Sequence, residues 1–584
     1  YPPCVPAPRT VAEAYLAALA RRGVDFLFAN AGTDFAPVIE ALAGAPSSGL
    51  GAPRAIAVPH EVVAVGMAHG YWLATGRPQA VMVHVDVGTA NALVGVMNAA
   101  RAHVPLLFTS GRTPFTESGH QGSRDLPIHW GQEMRDQGAL VREHVKWEHE
   151  LVFGDQVETV VDRALAIATS APPGPVYLSL PRETLAAAWN GAPLASTPTQ
   201  ATPALPHPDP AAIERAASLL AAARRPLVIA AAFNRDASAG LADFAERFAL
   251  PVVEHWSPCL ALATEHPMHA GFDPGDLLAE ADVVLVLDAP VPWIPSRHRL
   301  AESCAVIQVG PDPTFADLAL RGHRSAVAIC SGVSSAIAAL GRALAELVER
   351  SDMNAPGAPS ARSSAADELA CRIAAGRARD RARAGDLGLP PAPAAARAWI
   401  SRHLDEALAA DLRAGRAWIF NELGCDPSVM RFPRSGALFG LSIAGALGWA
   451  LPAALGAQLA APDQIVLATL GDGSYTFANP VACHQMAATL GLPVLAVVFD
   501  NQGWQAVRQA TLALYPQGDA ADAEEMPLTS LAPSPDYAQV IAASGGYGER
   551  VDDPSGFPAA LHRALQVVRR ERRQALVQVR LPLS

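Results

Sequence analysis

Two short apolar runs, Ile465 to Leu470 and Pro493 to Phe499, flank a helix-like segment, and each stops at a polar step. The first ends in Gly471-Asp472-Gly473-Ser474 and the second in Asp500-Asn501. Two such strands deliver an aspartate and an asparagine carboxamide to one edge of a sheet. An oxygen-only donor set suits a hard cation such as Mg²⁺ or Ca²⁺, and Mg²⁺ usually holds phosphates as well. Glycines on either side of Asp472 let backbone N–H groups approach phosphate oxygens, and the following helix adds positive potential. A bare Gly-Asp-Gly would mark only a strand-end turn; the second strand and its asparagine lift the pattern above that.

A chain of 584 residues is too long for one core and calls for about three or four domains. Half the residues are apolar, so large cores are available. With 44 Lys and Arg against 56 Asp and Glu, no basic face dominates, which argues against a nucleic-acid partner. The run Arg569 to Arg573, broken by Glu571, reads as the solvated face of a C-terminal helix. Seven scattered cysteines without a CxxC suggest a reducing compartment, no disulfide framework and no zinc site, hence a cytoplasmic protein. The apolar stretch from Ala437 to Ala461 is interrupted by Pro452 and several glycines, and reads as a buried loop and helix rather than a membrane span.

Alternating apolar and amphipathic runs predict an α/β protein of three doubly wound parallel-sheet domains. The first spans residues 1–190, the central one 205–350, and the third 397–584, with a linker region at 351–396. Strands are expected near 25–29, 55–58, 80–85, 105–110 and 175–180 in the first block. In the second they fall near 226–232, 251–254, 282–288 and 305–309, without a glycine-rich dinucleotide fingerprint after any of them. In the third, 417–421 and 576–581 join the two strands already described. Blocks one and three share a similar rhythm.

In the first block, Pro59-His60-Glu61 stands where a strand ends and a small-residue helix begins. An acid there is favoured by the helix dipole, but burial makes it expensive unless it is paired or protonated. The His-Glu step, the following Gly-Tyr-Trp-Leu-Ala-Thr-Gly-Arg-Pro run, and the Gly-Asp-Gly to Asp-Asn spacing together resemble the thiamine-diphosphate-dependent enzymes. The likeness is nearest to the acetolactate synthase and benzoylformate decarboxylase group, and it covers nearly the whole chain. Asp500 departs from the common Asn-Asn form, which leaves its role open.

The resemblance implies pyrimidine-binding, central and diphosphate-binding domains in that order. It implies that Glu61 shares a proton with the aminopyrimidine, and that burial raises its pKa. Leu447 would wedge the cofactor into a bent shape, and the Gly445 carbonyl would accept the ring amine. Asp472, Asn501 and the Gly503 carbonyl would hold the metal, with Gly473 and Ser474 against the diphosphate. Asn421 is either a further cofactor contact or a simple turn residue. Thr33 and His84 occupy substrate-contact positions, and a titratable imidazole beside the reacting carbon suits proton transfer near neutral pH. Asp86 could tune that imidazole. His120 and Gln121 lie on a loop that could reach a neighbouring subunit, and Trp293 could form an apolar wall.

The implied reaction is ylid addition to a 2-oxo acid, loss of CO₂, and protonation or ligation of the enamine to an aldehyde or second 2-oxo acid. A homodimer is the smallest expected unit, and a homotetramer is common among such relatives. FAD in the central domain, as in some synthases and oxidases, is the alternative that the composition leaves open, along with a noncatalytic member of the family. No membrane partner is expected.

Overall fold

The structure, a computed structural model, describes residues 7–234, 238–354, 359–389 and 395–581. Its strands form three all-parallel sheets, as the alternation of apolar runs predicts. The first holds β1 (Phe26–Ala29), β2 (Arg54–Ala57), β3 (Gln79–Val83), β4 (Leu106–Arg112), β5 (Glu148–Glu150) and β6 (Val176–Pro181). Its spatial order is β2-β1-β3-β4-β6-β5. The second holds β7 (Pro226–Ala230), β8 (Val252–Val253), β9 (Val283–Leu287), β10 (Ala305–Gly310) and β11 (Val327–Cys330), in the order β11-β10-β9-β7-β8. The third holds β12 (Ala417–Glu422), β13 (Leu438–Gly440), β14 (Ile465–Gly471), β15 (Leu495–Asp500), β16 (Tyr547–Val551) and β17 (Ala575–Arg580). Its order, β13-β12-β14-β15-β17-β16, repeats that of the first sheet.

That order has a functional consequence. Chain connections leave β1 toward β2 on one side, while β3 and the later strands build on the other. A crevice therefore opens beyond the carboxyl ends of β1 and β3, and likewise beyond β12 and β14. Thr33 and His84 follow β1 and β3; Asn421 ends within β12, and Asp472 follows β14. The central strands are buried along almost their whole length, which is why they read as continuous apolar runs.

Four strands escape the sequence reading. β5 is a three-residue polar edge strand, β13 is equally short, and β11 and β16 alternate or carry polar residues. Edge strands bury less and so lose the apolar signature. The stretch from Ala437 to Ala461 is strand, loop and the helix Ala450–Ala460, as expected, and among the described residues no helix is long and apolar enough to cross a membrane. The helix Pro359–Arg383 occupies much of the expected linker region, whose proline-rich flanks lie partly outside the described residues.

By spatial contact the chain divides into two compact units. One contains residues 1–204, 441–462 and 475–492; the other contains 205–440, 463–474 and 493–584. In the first, the helix Glu61–Thr75 lies against the helix Ala450–Ala460 through glycines. A methyl group at Gly70 would sit 1.8 Å from the Ala453 carbonyl oxygen, and one at Gly456 would sit 1.9 Å from that of Met67. Backbone cannot yield as a flexible side chain can. Gly70→Ala should therefore cost about 1–3 kcal/mol of stability by overpacking, read as a lower melting temperature; an unchanged melt would refute this contact.

Candidate active site

In the second unit, β14 and β15 run side by side and end in register, with Gly471 opposite Phe499. Asp472 follows β14 and is buried. One of its oxygens accepts from its neighbour Gly473 N–H (2.9 Å) and the other from Gly503 N–H (3.1 Å). The Asn501 side-chain oxygen also faces the Gly503 N–H, at 3.2 Å. Burial raises the Asp472 pKa to about 6; the two N–H groups oppose the rise and the nearby Asp500 carboxylate adds to it. A buried carboxylate beside a second carboxylate and a carboxamide is a donor set that fits a hard divalent cation. The Gly503 carbonyl accepts from Gln505 N–H at 3.0 Å and keeps a second lone pair.

Asp500 is fixed by its own partners. Ser534 Oγ and Gln578 Nε2 each donate to it at 2.7 Å, Gln502 N–H donates at 3.2 Å, and Arg580 lies 3.4 Å away. The Asp at this step, in place of the common Asn, is thus absorbed by a largely buried polar network. Gly473 has no room for a side chain, since a methyl would meet the Trp504 ring at 2.2 Å, and Ser474 is buried. Asn421 is spent on a turn: its oxygen accepts from Gly424 N–H (3.1 Å) and Thr469 Oγ1 (2.9 Å), and its amide donates to the Cys425 carbonyl (3.2 Å). The geometry favours the simple-turn reading of Asn421 over a cofactor contact.

In the first unit, His60 caps the helix Glu61–Thr75 by accepting Val62 N–H on Nδ1. Glu61 is half-buried rather than buried as expected, because it stands on the open first turn of its helix. Asn91 Nδ2 donates to its Oε2 at 2.5 Å. The segment from Ser442 to Gly448 is tied down by Asn98, which donates to the Ala446 carbonyl (2.7 Å) and accepts from Ser442 Oγ (3.1 Å). Gly445 is exposed with φ of +62°, and Leu447 is half-buried beside it.

His84 caps the next helix, Val85–Arg101, and pairs with an aspartate the sequence reading passed over. Nδ1 of His84 lies 2.5 Å from Asp34 Oδ1, and the other oxygen of Asp34 accepts Val85 N–H at 3.3 Å. The hydrogen bond and charge of Asp34 raise the His84 pKa against the effect of burial. Asp86 contributes a lesser charge effect, so Asp34, and not chiefly Asp86, tunes this ring. Two glycines make the pair possible. A methyl at Gly32 would fall 2.1 Å from His84 Nδ1, and one at Gly111 would fall 1.6 Å from Asp34 Oδ2. Val85 holds φ of +31°, a strained value for a β-branched residue, at the turn that aims His84.

Thr33 is exposed, with its Oγ1 3.4 Å from Nε2 of His129, a buried imidazole in an otherwise exposed loop. Gln132, from the same loop, lies against His84. His120 and Gln121 are exposed on a turn closed by Ser123. Trp293, expected as an apolar wall of the site, packs in the hydrophobic core of the central sheet, edge-on to His323.

Three known domain patterns match this chain in order. The thiamine pyrophosphate enzyme N-terminal binding domain matches residues 9–140, the central domain 213–340, and the C-terminal binding domain 423–579. A probable 2-ketoarginine decarboxylase of Pseudomonas aeruginosa is 30% identical over 561 residues, covering 92% of this chain and 88% of its own. The chain belongs to the thiamine pyrophosphate enzyme family. Benzoylformate decarboxylase of the same organism is 28% identical, covering 86% of this chain and 87% of its own. The fold is shared with the Rhodococcus jostii RHA1 thiamine diphosphate-dependent 4-hydroxybenzoylformate decarboxylase (TM-score 0.74, 23% identity, 98% and 99% of the two chains). As a member of this family the protein is a thiamine-diphosphate enzyme, and its cofactor-binding domains carry Glu61 at one end of the chain and Asp472 and Asn501 at the other.

Three further residues of the first unit, Asp34, Asn98 and His129, contact His84, Ala446 and Thr33 respectively, and only Asp34 left a trace in the sequence, as the neighbour of Thr33 after a glycine. The raised Asp472 pKa sets a testable pH dependence. Because the folded value lies above the ordinary carboxylate value, the folded protein binds the extra proton between about pH 4 and about pH 6. The metal-free enzyme should lose stability as pH rises through that window, and a divalent cation, which needs the carboxylate, should restore it. Melting with and without chelator should show a larger cation effect near about pH 7.5 than near about pH 5; an equal effect at both would contradict a role for Asp472 as ligand.

Proposed function

We propose that this enzyme decarboxylates a 2-oxo acid with thiamine diphosphate and Mg²⁺, releasing CO₂ and an aldehyde, or joining the acyl unit to a second carbonyl compound. The observation that carries the reading is the Asp472–Asn501 donor set, an oxygen-only cage held by backbone N–H groups at the ends of adjacent parallel strands. Mg²⁺ fits this chemistry, and Ca²⁺ is its nearest substitute. When bound, thiamine diphosphate supplies the nucleophilic carbon and the electron sink for loss of CO₂.

The chain's own residues divide the remaining work. Asp472, Asn501 and the Gly503 carbonyl hold the metal, while Gly473 and Ser474 lie along the diphosphate. Glu61 holds and returns a proton at its carboxyl group, with Asn91 orienting it. Gly445 and Leu447 grip the middle of the cofactor, steadied by Asn98. His84, kept ready to carry a proton by Asp34, donates or accepts at Nε2, and Thr33 contacts the substrate. The named substrates of the relatives, 2-ketoarginine and benzoylformate, are the first candidates. The active form is a homodimer or homotetramer; the free state of all six described cysteines supports a reducing compartment such as the cytoplasm.

Benzoylformate, 4-hydroxybenzoylformate, 2-ketoarginine and pyruvate, supplied with thiamine diphosphate and Mg²⁺ and scored for CO₂ and acyloins, test the reading. At least one should be turned over, and Glu61→Gln should reduce that rate by about 10²-fold or more while cofactor binding persists. Full activity in the variant would overturn the role of Glu61, and inertness toward all four acids would overturn the proposed reaction.

A further inference from the structure

The loop from Thr113 to Gln137 is exposed over most of its length, with Phe115, Ile128 and Trp130 open to solvent. Between Phe115 and Asp136 the one buried residue is His129, only 2% exposed, and both of its ring nitrogens have partners. Burying an imidazole in a loop costs desolvation that an apolar residue would avoid. The arrangement therefore points to work done by the two nitrogens.

Their roles follow from the donors around them. The backbone N–H of Asp125 points at Nδ1 from 3.3 Å, which requires a lone pair there. In the neutral ring the hydrogen then sits on Nε2, and it is Nε2–H that faces Thr33 Oγ1 at 3.4 Å. The charged and titratable groups around the ring are Asp125, Arg182, Arg124 and His84. The Asp125 carboxylate lies 3.3 Å from Nδ1 but is already engaged by both terminal nitrogens of Arg182, at 3.1 and 3.2 Å. Burial, the two arginines and His84 all favour the neutral ring.

We propose that His129 is a positioning residue of the substrate end: its Nε2–H occupies Thr33 Oγ1 as donor, so that the Thr33 hydroxyl hydrogen turns outward to a substrate oxygen. The dipeptide Thr33-Asp34 then governs two histidines by opposite means. Asp34 accepts from His84 and leaves its Nε2 for chemistry, whereas Thr33 accepts from His129 and passes on a directed O–H. This inference rests on the proposed reading of Thr33 as a substrate contact.

The substitutions that separate the two nitrogens are His129→Asn, which keeps an acceptor for Asp125 N–H but loses Nε2, and His129→Gln, which keeps an N–H at the reach of Nε2. Each is measured alone and with Thr33→Val on the metal- and cofactor-loaded enzyme. The readouts are kcat/KM for the best 2-oxo acid and, by calorimetry, Kd for the 2-hydroxy acid made by reducing it. His129→Asn and Thr33→Val should each lose about tenfold in both, the double variant no more than either, and His129→Gln less than about threefold. Multiplying losses of about a hundredfold in the double variant, or a His129→Asn protein indistinguishable from wild type, would overturn the inference while leaving the proposed reaction standing. If His129→Asn does not fold, His129→Phe is put through the same cycle under the same criteria. A wild-type enzyme inert to every 2-oxo acid defeats the proposed reaction first, and this inference with it.

Discussion

A carboxylate held between two backbone N–H groups, at the ends of neighbouring parallel strands, is the constraint on which the third sheet's chemistry depends. Asp472 is buried and close to a second carboxylate, an arrangement that repels itself unless a proton or a cation intervenes. The two N–H donors offset part of that cost and fix the orientation of both oxygens. Asp500 cannot move away to relieve the repulsion, because Ser534, Gln578 and Arg580 hold it in place. The fold thus keeps an acidic, oxygen-lined pair at the ends of two strands, a donor set that a hard cation would fit.

The first sheet repeats the same strand order and uses the equivalent crevice for a different purpose. Where the third sheet presents an acid and an amide, the first presents imidazoles oriented by a carboxylate and a hydroxyl. Close packing makes this possible. Gly32 and Gly111 leave the space in which Asp34 meets His84, and the strained Val85 turns the ring toward its partner. A side chain at either glycine would separate the pair before it altered anything else. The strain at Val85 is sustained by its own two hydrogen bonds, to Asp34 and from Thr89 Oγ1.

Much of this was legible in the sequence because buried parallel strands write themselves as apolar runs, and their ends carry the chemistry. The three sheets, the identity of β14 and β15, and the Gly-Asp-Gly step could be read in that way. What could not be read are contacts that join distant segments through one atom pair. Asn98 meets Ala446 across 348 positions of sequence, and His129 meets Thr33 across 96. Neither histidine loop nor helix face carries a periodicity that would single these residues out. Asn421 shows the opposite case: the sequence left it open between a cofactor contact and a turn residue, and its side chain closes a local turn. Short edge strands such as β5 and β13 escaped because three residues bury too little to leave a pattern.

The most direct test is a calorimetric titration of metal-stripped protein with thiamine diphosphate, with and without Mg²⁺, in the wild type and in Asp472→Ala. The account predicts tight binding only when Mg²⁺ is present, and its loss when the carboxylate is removed. Binding of equal strength in the absence of metal, or undiminished in Asp472→Ala, would contradict it.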